Sequence, residues 1–408
     1  MKRILTIAIL SWLILSPAFP QSLQPGDSIK AYVDFLKNKS LLSPQEYVLQ
    51  SFREKDIIIL SERLHPEFKQ YEMIVDILKD ERFKGNVYTE VGVANAGEKI
   101  NEFLQKEGLT PEQADQSVTA IFKNLDMFPL WPDYNFFYLI RSIYDINQHR
   151  SMNDKIFLYP LDVRFSWDSI QCNAQYQMFM DMMEPQGFPP IIDRNSLMGK
   201  AFANAYDQAG YHHPEKKKAL VILNTYHGYT RIPTFFPHPE EPTVYSAAAY
   251  IYKTYPGKVK GISINGIGNT MQLVCGGKWD AAFRVTGNVP VGFDLPGTPF
   301  GKTTFDMYNF GGTDYATVNF EYIFDGFIFF EPIENFDLVW GIPGIFNDSI
   351  FANEFYRRCA IAEGITPEEA RASVEIRGCV KDWNVVTRIK VEGLEQYNKQ
   401  INSWIKKQ

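Results

Sequence analysis

Histidine and cysteine are scarce in this chain of 408 residues, which holds six of the first and four of the second. No two of Cys172, Cys275, Cys359 and Cys379 lie two to four residues apart, the spacing that structural zinc sites use, so cysteine-ligated zinc is excluded. Basic residues are also in deficit. The formal charge is −7 and the one basic run is Lys216 to Lys218, so nucleic acid is not an expected partner. Beyond the N-terminal stretch no run is long and apolar enough to cross a bilayer as a helix, and no integral membrane segment is expected in the mature chain. No Gly-x-Ser-x-Gly elbow occurs, which argues against the common serine esterase design. Gly276-Gly277 and Gly311-Gly312 lack the spacing of a nucleotide-binding loop and read as turns.

The N-terminus carries Lys2-Arg3, an apolar stretch from Ile4 to Leu15, and then Ser16-Pro17-Ala18. That pattern reads as a secretory signal peptide over residues 1–21, cleaved after Ala18 or Gln21, because roughly 12 apolar residues are too few to span a bilayer. An exported protein, periplasmic or secreted, is the expectation. No cysteine follows the apolar stretch, so a lipid anchor is not expected. In an oxidising compartment an even cysteine count favours disulfides, with Cys359–Cys379 as the local pair and Cys172–Cys275 as the other.

The fold class expected is α/β: a three-layer α/β/α unit around a mostly parallel sheet, spanning residues 22–335, with a helical insertion at 96–148 and a C-terminal helical extension at 336–408. Ile57 to Leu60 is too uniformly apolar to alternate, as parallel strands covered on both faces are. Val87 to Glu90, Ile156 to Asp162, Ala219 to Leu223, Val259 to Ile264 and Tyr322 to Phe330 read as further strands. Helices are expected over 28–38, from His65-Pro66 to about Lys79, over 171–183 and 196–208, from Thr366, and over 392–407, with proline at the first helical position after His65. The span from Gly276 to Thr317 carries few helical signals.

Three of these strands end on ionisable residues. Ile57 to Leu60 runs into Glu62 and His65, the second strand ends on Glu90, and Ala219 to Leu223 leads to His227. Open α/β sheets bind ligands at the carboxyl ends of their strands, so two carboxylates and two imidazoles there describe one polar pocket. A carboxylate beside a histidine fixes its tautomer and raises its basicity, which suits a water-activating base. Each residue also has a plainer reading: Glu62 as a helix cap, Glu90 as a partner of Arg63 or Lys69, and Asp162 with Arg164 as a simple ion pair. Trp131, at the break Phe128 to Pro132, and Asp162 with Arg164 are the candidates for the substrate-binding wall. His212-His213 read as solvated loop residues.

These residues, taken in order, resemble the erythromycin esterase-like family, part of a wider group with the ChaN-like haem-binding lipoproteins and the Tiki metalloproteases. Leu60-Ser-Glu-Arg-Leu-His65 resembles the family's Leu-Gly-Glu-x-x-His, and Tyr88-Thr-Glu90 its later strand-end glutamate. Trp131 through Arg141 to Asn147, Leu158 to Asp162, Val221 to His227 and Phe324 to Ile328 resemble its later segments. The resemblance spans roughly Asp56 to Phe330. It implies an α/β/α hydrolase in which His65 is the base, Glu62 and Glu90 orient it or the water, and His227 completes the pocket. The chain departs from the pattern at Ser61 and Pro66, where the family has glycine, at Asn224, where it has the first histidine of a His-x-x-His pair, and at Tyr134-Asn135, near an expected glutamate.

The function expected is hydrolysis of a small-molecule ester or lactone without a cofactor. Two rivals stand beside it. The same four residues, two histidines and two carboxylates, suit a divalent metal with open positions, and a pocket that no longer turns over substrate would make a ligand-binding protein, haem being the candidate cofactor.

Overall fold

The computed structural model describes residues 28–183, 193–212, 217–231, 245–267, 272–306 and 318–407. The leader at 1–21, His213 and Gly311-Gly312 lie outside them. Seven strands form the central sheet: β1 (Ile57–Glu62), β2 (Gly85–Val93), β3 (Leu158–Asp162), β4 (Lys218–Asn224), β5 (Val259–Ile264), β6 (Val291–Asp294) and β7 (Gly326–Phe329). Their order is β3-β2-β4-β1-β5-β7-β6, parallel throughout except that β6 runs antiparallel to β7 at the edge. Helices cover both faces, giving the expected three-layer α/β/α architecture.

The uniform hydrophobicity of β1 has a direct cause. Ile58 and Leu60 join the larger core on one face of the sheet, while Ile57 and Ile59 join a smaller one with Met198, Phe202, Ala247 and Ile251 on the other. Every residue of the strand is buried. Burying one such side chain contributes about 1.5–3 kcal/mol, so a central strand apolar on both faces anchors the sheet. Its last residue, Glu62, is then held rigidly at the carboxyl edge.

Several local expectations are corrected. The helix after His65 begins at Lys69, not at Pro66. Residues 66–68 are drawn off by the strand β8 (Asp337–Trp340): Val339 N donates to Pro66 O at 2.9 Å and Phe68 N donates to Asp337 O at 2.8 Å. The Glu67 carboxylate then accepts from the amides of Lys69 and Gln70 and caps the helix. The 276–317 span, expected to be poor in helix, holds the helix Lys278–Val285 as well as the edge strand β6. The last sheet strand starts at Gly326 because Phe320–Ile323 forms a helical turn.

The C-terminal segment is not purely helical. It contributes β8 and β9 (Thr387–Lys390), which pair antiparallel, between and before its helices. All four cysteines are free thiols, so the two expected bridges are not formed. Cys379 sits near enough to Cys359 to help raise its pKa, but both are packed in the core, and burial is the main cause raising these thiols. Cys172 is exposed while Cys275 is buried. Among the described residues no helix is long and apolar enough to cross a membrane.

Candidate functional site

Glu90 lies within β2 rather than at its end. The pairing of β2 with β3 shifts register between Thr89 and Val93, and Gly92 in that shift has φ of 94°, with Leu125 and Pro160 standing where a β-carbon would project. A side chain at 92 would be strained there, so the glycine permits the irregularity that turns Glu90 into the crevice. One carboxylate oxygen of Glu90, Oε2, accepts from the Asn224 amide at 2.7 Å. The other, Oε1, is a hub: it lies 3.3 Å from His227 Nε2, 3.8 Å from an Arg194 terminal nitrogen and 3.9 Å from His65 Nε2.

His65 stands in the turn after β1, its Nδ1 2.5 Å from Glu62 Oε1. The turn is fastened by Asn135, whose side-chain amide donates to the carbonyls of His65 and Glu67. Trp131 packs edge-on against the imidazole, with ring centroids 5.2 Å apart. Glu62, His65, Glu90 and His227 thus converge as the sequence suggested, and Trp131 borders them. His65 is the solvent-facing member, with 20% of its side chain exposed against 1, 7 and 2% for Glu62, Glu90 and His227. A molecule entering the crevice would meet His65 first.

Asp162 is present but engaged elsewhere. Its carboxylate is gripped by Arg194, Nε and a terminal nitrogen each at 2.8 Å, a bidentate pair. Arg164, expected beside it, is exposed and takes no part. The difference is geometric: Asp162 ends β3 facing inward, and the helix Arg194–His212 delivers a guanidinium from across the sheet.

The electrostatics separate the two imidazoles. Burial alone would lower the His65 pKa, but the charge and hydrogen bond of Glu62, then Glu90 and Asp133, outweigh it and raise the ring to about 9. His227 is held well below the ordinary histidine value by burial first, then by Arg194 and His65. Burial also raises Glu90, against the opposing pull of His65, Arg194 and the Asn224 amide. At neutral pH the site therefore holds an imidazolium at 65 and a neutral imidazole at 227.

One consequence is measurable. The folded pKa of His65, about 9, lies above the ordinary value of 6.5, so its interaction stabilises the fold fully below pH ~6.5 and is lost as pH rises through about 9. In a proton NMR titration the His65 ring resonance should move near pH 9. A midpoint near 6.5 would show that the Glu62 pairing does not hold in solution.

Sequence reasoning missed Arg194, Asn195, Tyr71, Asp133 and Asn135. Tyr71 reads as part of a helix's apolar stripe, yet its hydroxyl hydrogen-bonds Glu62. Asp133, two residues after Trp131, is pushed by burial to about 7 and feels the charges of His65 and Glu62. Arg194 and Asn195 precede the expected helix start and carried no pattern beyond that position. Among the described residues no group of three or more His, Cys, Asp or Glu side chains is arranged to hold a metal ion.

No family model and no curated protein matches the chain. Solved structures align with it at low identity. A structural-genomics protein from Bacillus cereus aligns with TM-score 0.40 and 11% identity over 74% of this chain and 97% of its own. A succinoglycan biosynthesis protein aligns with TM-score 0.41 and 10% identity over 74% and 95%. The type III effector HopBA1 aligns with TM-score 0.31 and 12% identity over 55% and 83%.

Proposed function

We propose that this protein is an exported hydrolase of an ester or lactone, the reaction class implied by the erythromycin esterase-like proteins its motifs resemble. The observation that carries the reading is the placement of Glu90 Oε1 between the Nε2 atoms of two imidazoles, at 3.3 and 3.9 Å, whose surroundings raise the pKa of one and lower that of the other. Acyl transfer to water needs a base for the attacking oxygen and an acid for the departing one, and two groups whose environments push their pKa values apart supply both. The leader-like N-terminus supports export.

His65 suits the acid. Carboxylates stand at both of its nitrogens, and its exposed edge faces the entrance, where a substrate's carbonyl or leaving oxygen would arrive. Trp131 gives that entrance an apolar wall for the body of a small molecule.

The test is a hydrolysis screen of the purified full chain against aryl esters, aliphatic esters and lactones, run beside a haem titration. Turnover of at least one substrate class, abolished in Glu90→Gln, is the expected result. No turnover of any class, together with a Soret band developing on haem addition, would replace the hydrolase with a binding protein.

A further inference from the structure

Beside the crevice, at the end of the same central strand, stands a buried charge with no partner. Successive residues at a strand end point to opposite sides, so Arg63 leaves β1 away from Glu62. Its stem is wedged against the loop after β5: a β-carbon at Gly266, where φ is 146°, would lie 3.2 Å from the Phe336 ring and 3.3 Å from the Arg63 β-carbon. The side chain is held in one place and is only 6% exposed. Yet among the described residues Arg63 donates no hydrogen bond and joins no ion pair, and its Nε is sealed from solvent without an acceptor.

Buried guanidinium groups are ordinarily paired and hydrogen-bonded, because taking one out of water is costly. The groups in the field of Arg63 are Tyr229 after β4, Cys275 in the turn Val274–Gly277, Asp280 in the first turn of the helix Lys278–Val285, and Asp306. None of them belongs to the His65 crevice. Neither aspartate is free to serve the arginine: Asp306 accepts the amide of Cys275 and has that residue's Sγ 3.8 Å from its Oδ1, and Asp280 accepts its own backbone amide while the charge of Arg284 draws it. They balance Arg63 from a distance and leave its N–H groups without an acceptor.

We propose that Arg63 anchors a second ligand site, at the carboxyl edge between β1 and β5, which binds the carboxylate of a small organic acid. That edge is where open α/β sheets receive ligands. The guanidinium fork matches a planar carboxylate with two parallel N–H···O bonds, and two aspartates in the same field disfavour the second charge of a phosphate. The burial of Arg63 restricts the acid to a small one. The site goes beyond the hydrolase reading and does not depend on it.

Acetate is the probe, titrated into the full chain at constant ionic strength with chloride as the balancing anion. The readout is the NMR signal of the Arg63 Nε–H, assigned by its loss in Arg63→Met. A saturable shift with acetate and none with chloride is expected; an unmoved signal would overturn the site. By calorimetry Arg63→Lys, which keeps the charge but not the fork, should lose roughly tenfold or more in acetate affinity. Equal affinity in wild type and Arg63→Lys would put the acetate elsewhere, and phosphate binding more tightly than acetate would overturn the choice of a carboxylate. A bound carboxylate raises Asp280 and Asp306, each already pushed by burial to about 6, so binding takes up protons and should tighten several-fold as pH falls from ~8 to ~6. Tyr229 and Cys275, both pushed up by burial, keep their protons over that range. Stability separates a ligand site from a structural charge. At pH ~5, where both aspartates are largely protonated, Arg63→Met should melt no lower than wild type, and a marked fall there would make Arg63 a structural charge instead.

Discussion

His65→Ala should lower ester or lactone hydrolysis by a factor of roughly 10² to 10⁴, the usual contribution of a positioned acid or base. The fold should survive. His65 sits in a turn at the solvent edge, and Asn135 and β8 hold that turn through backbone carbonyls and amides that alanine retains. Circular dichroism close to wild type, with a melting curve lowered by the loss of the Glu62 pairing, is expected beside the lost rate. Full activity in His65→Ala would remove the acid from the mechanism.

The largest stability effect should come from Arg194→Met. Asp162 is 3% exposed and its bidentate partner is Arg194, so the substitution strands a buried carboxylate. Removing one member of a buried ion pair costs about 3–5 kcal/mol. A urea midpoint falling accordingly with an unchanged slope is expected, and Asp162→Asn added to Arg194→Met should cost less than the sum of the two. A loss below ~1 kcal/mol would mean that Asp162 is solvated or protonated.

The parts of this molecule that were legible in sequence are those where one residue type has one use. β1 and β4 are apolar on both faces because helices cover both, and no surface strand tolerates that pattern. The convergence of Glu62, His65 and His227 was legible from strand ends, whereas Glu90 reaches the crevice from within β2 at the register shift beside Gly92. The partner of Asp162 was not legible, because Arg164 is two residues away in sequence and Arg194 is brought in by folding. Asn195 was invisible for a similar reason: its side chain meets Ala247 and His227, and nothing in its own neighbourhood marks it. The β8–β9 pair joins segments far apart in the chain with no hairpin turn to announce it.

β8 does more than pair with β9. It also touches the Pro66–Phe68 turn, and it meets Asp133 through a bridge at Trp340 while Gly341 donates to the Pro132 carbonyl. The loop that carries His65 and the loop that carries Trp131 are therefore both stitched to a strand that is made only after β7. A growing chain can complete all seven strands of the sheet before β8 has emerged, so the scaffold precedes the chemistry during translation. Premature termination after β7 would leave a sheet with its carboxyl edge unfastened, so the crevice becomes competent only once β8 has been made.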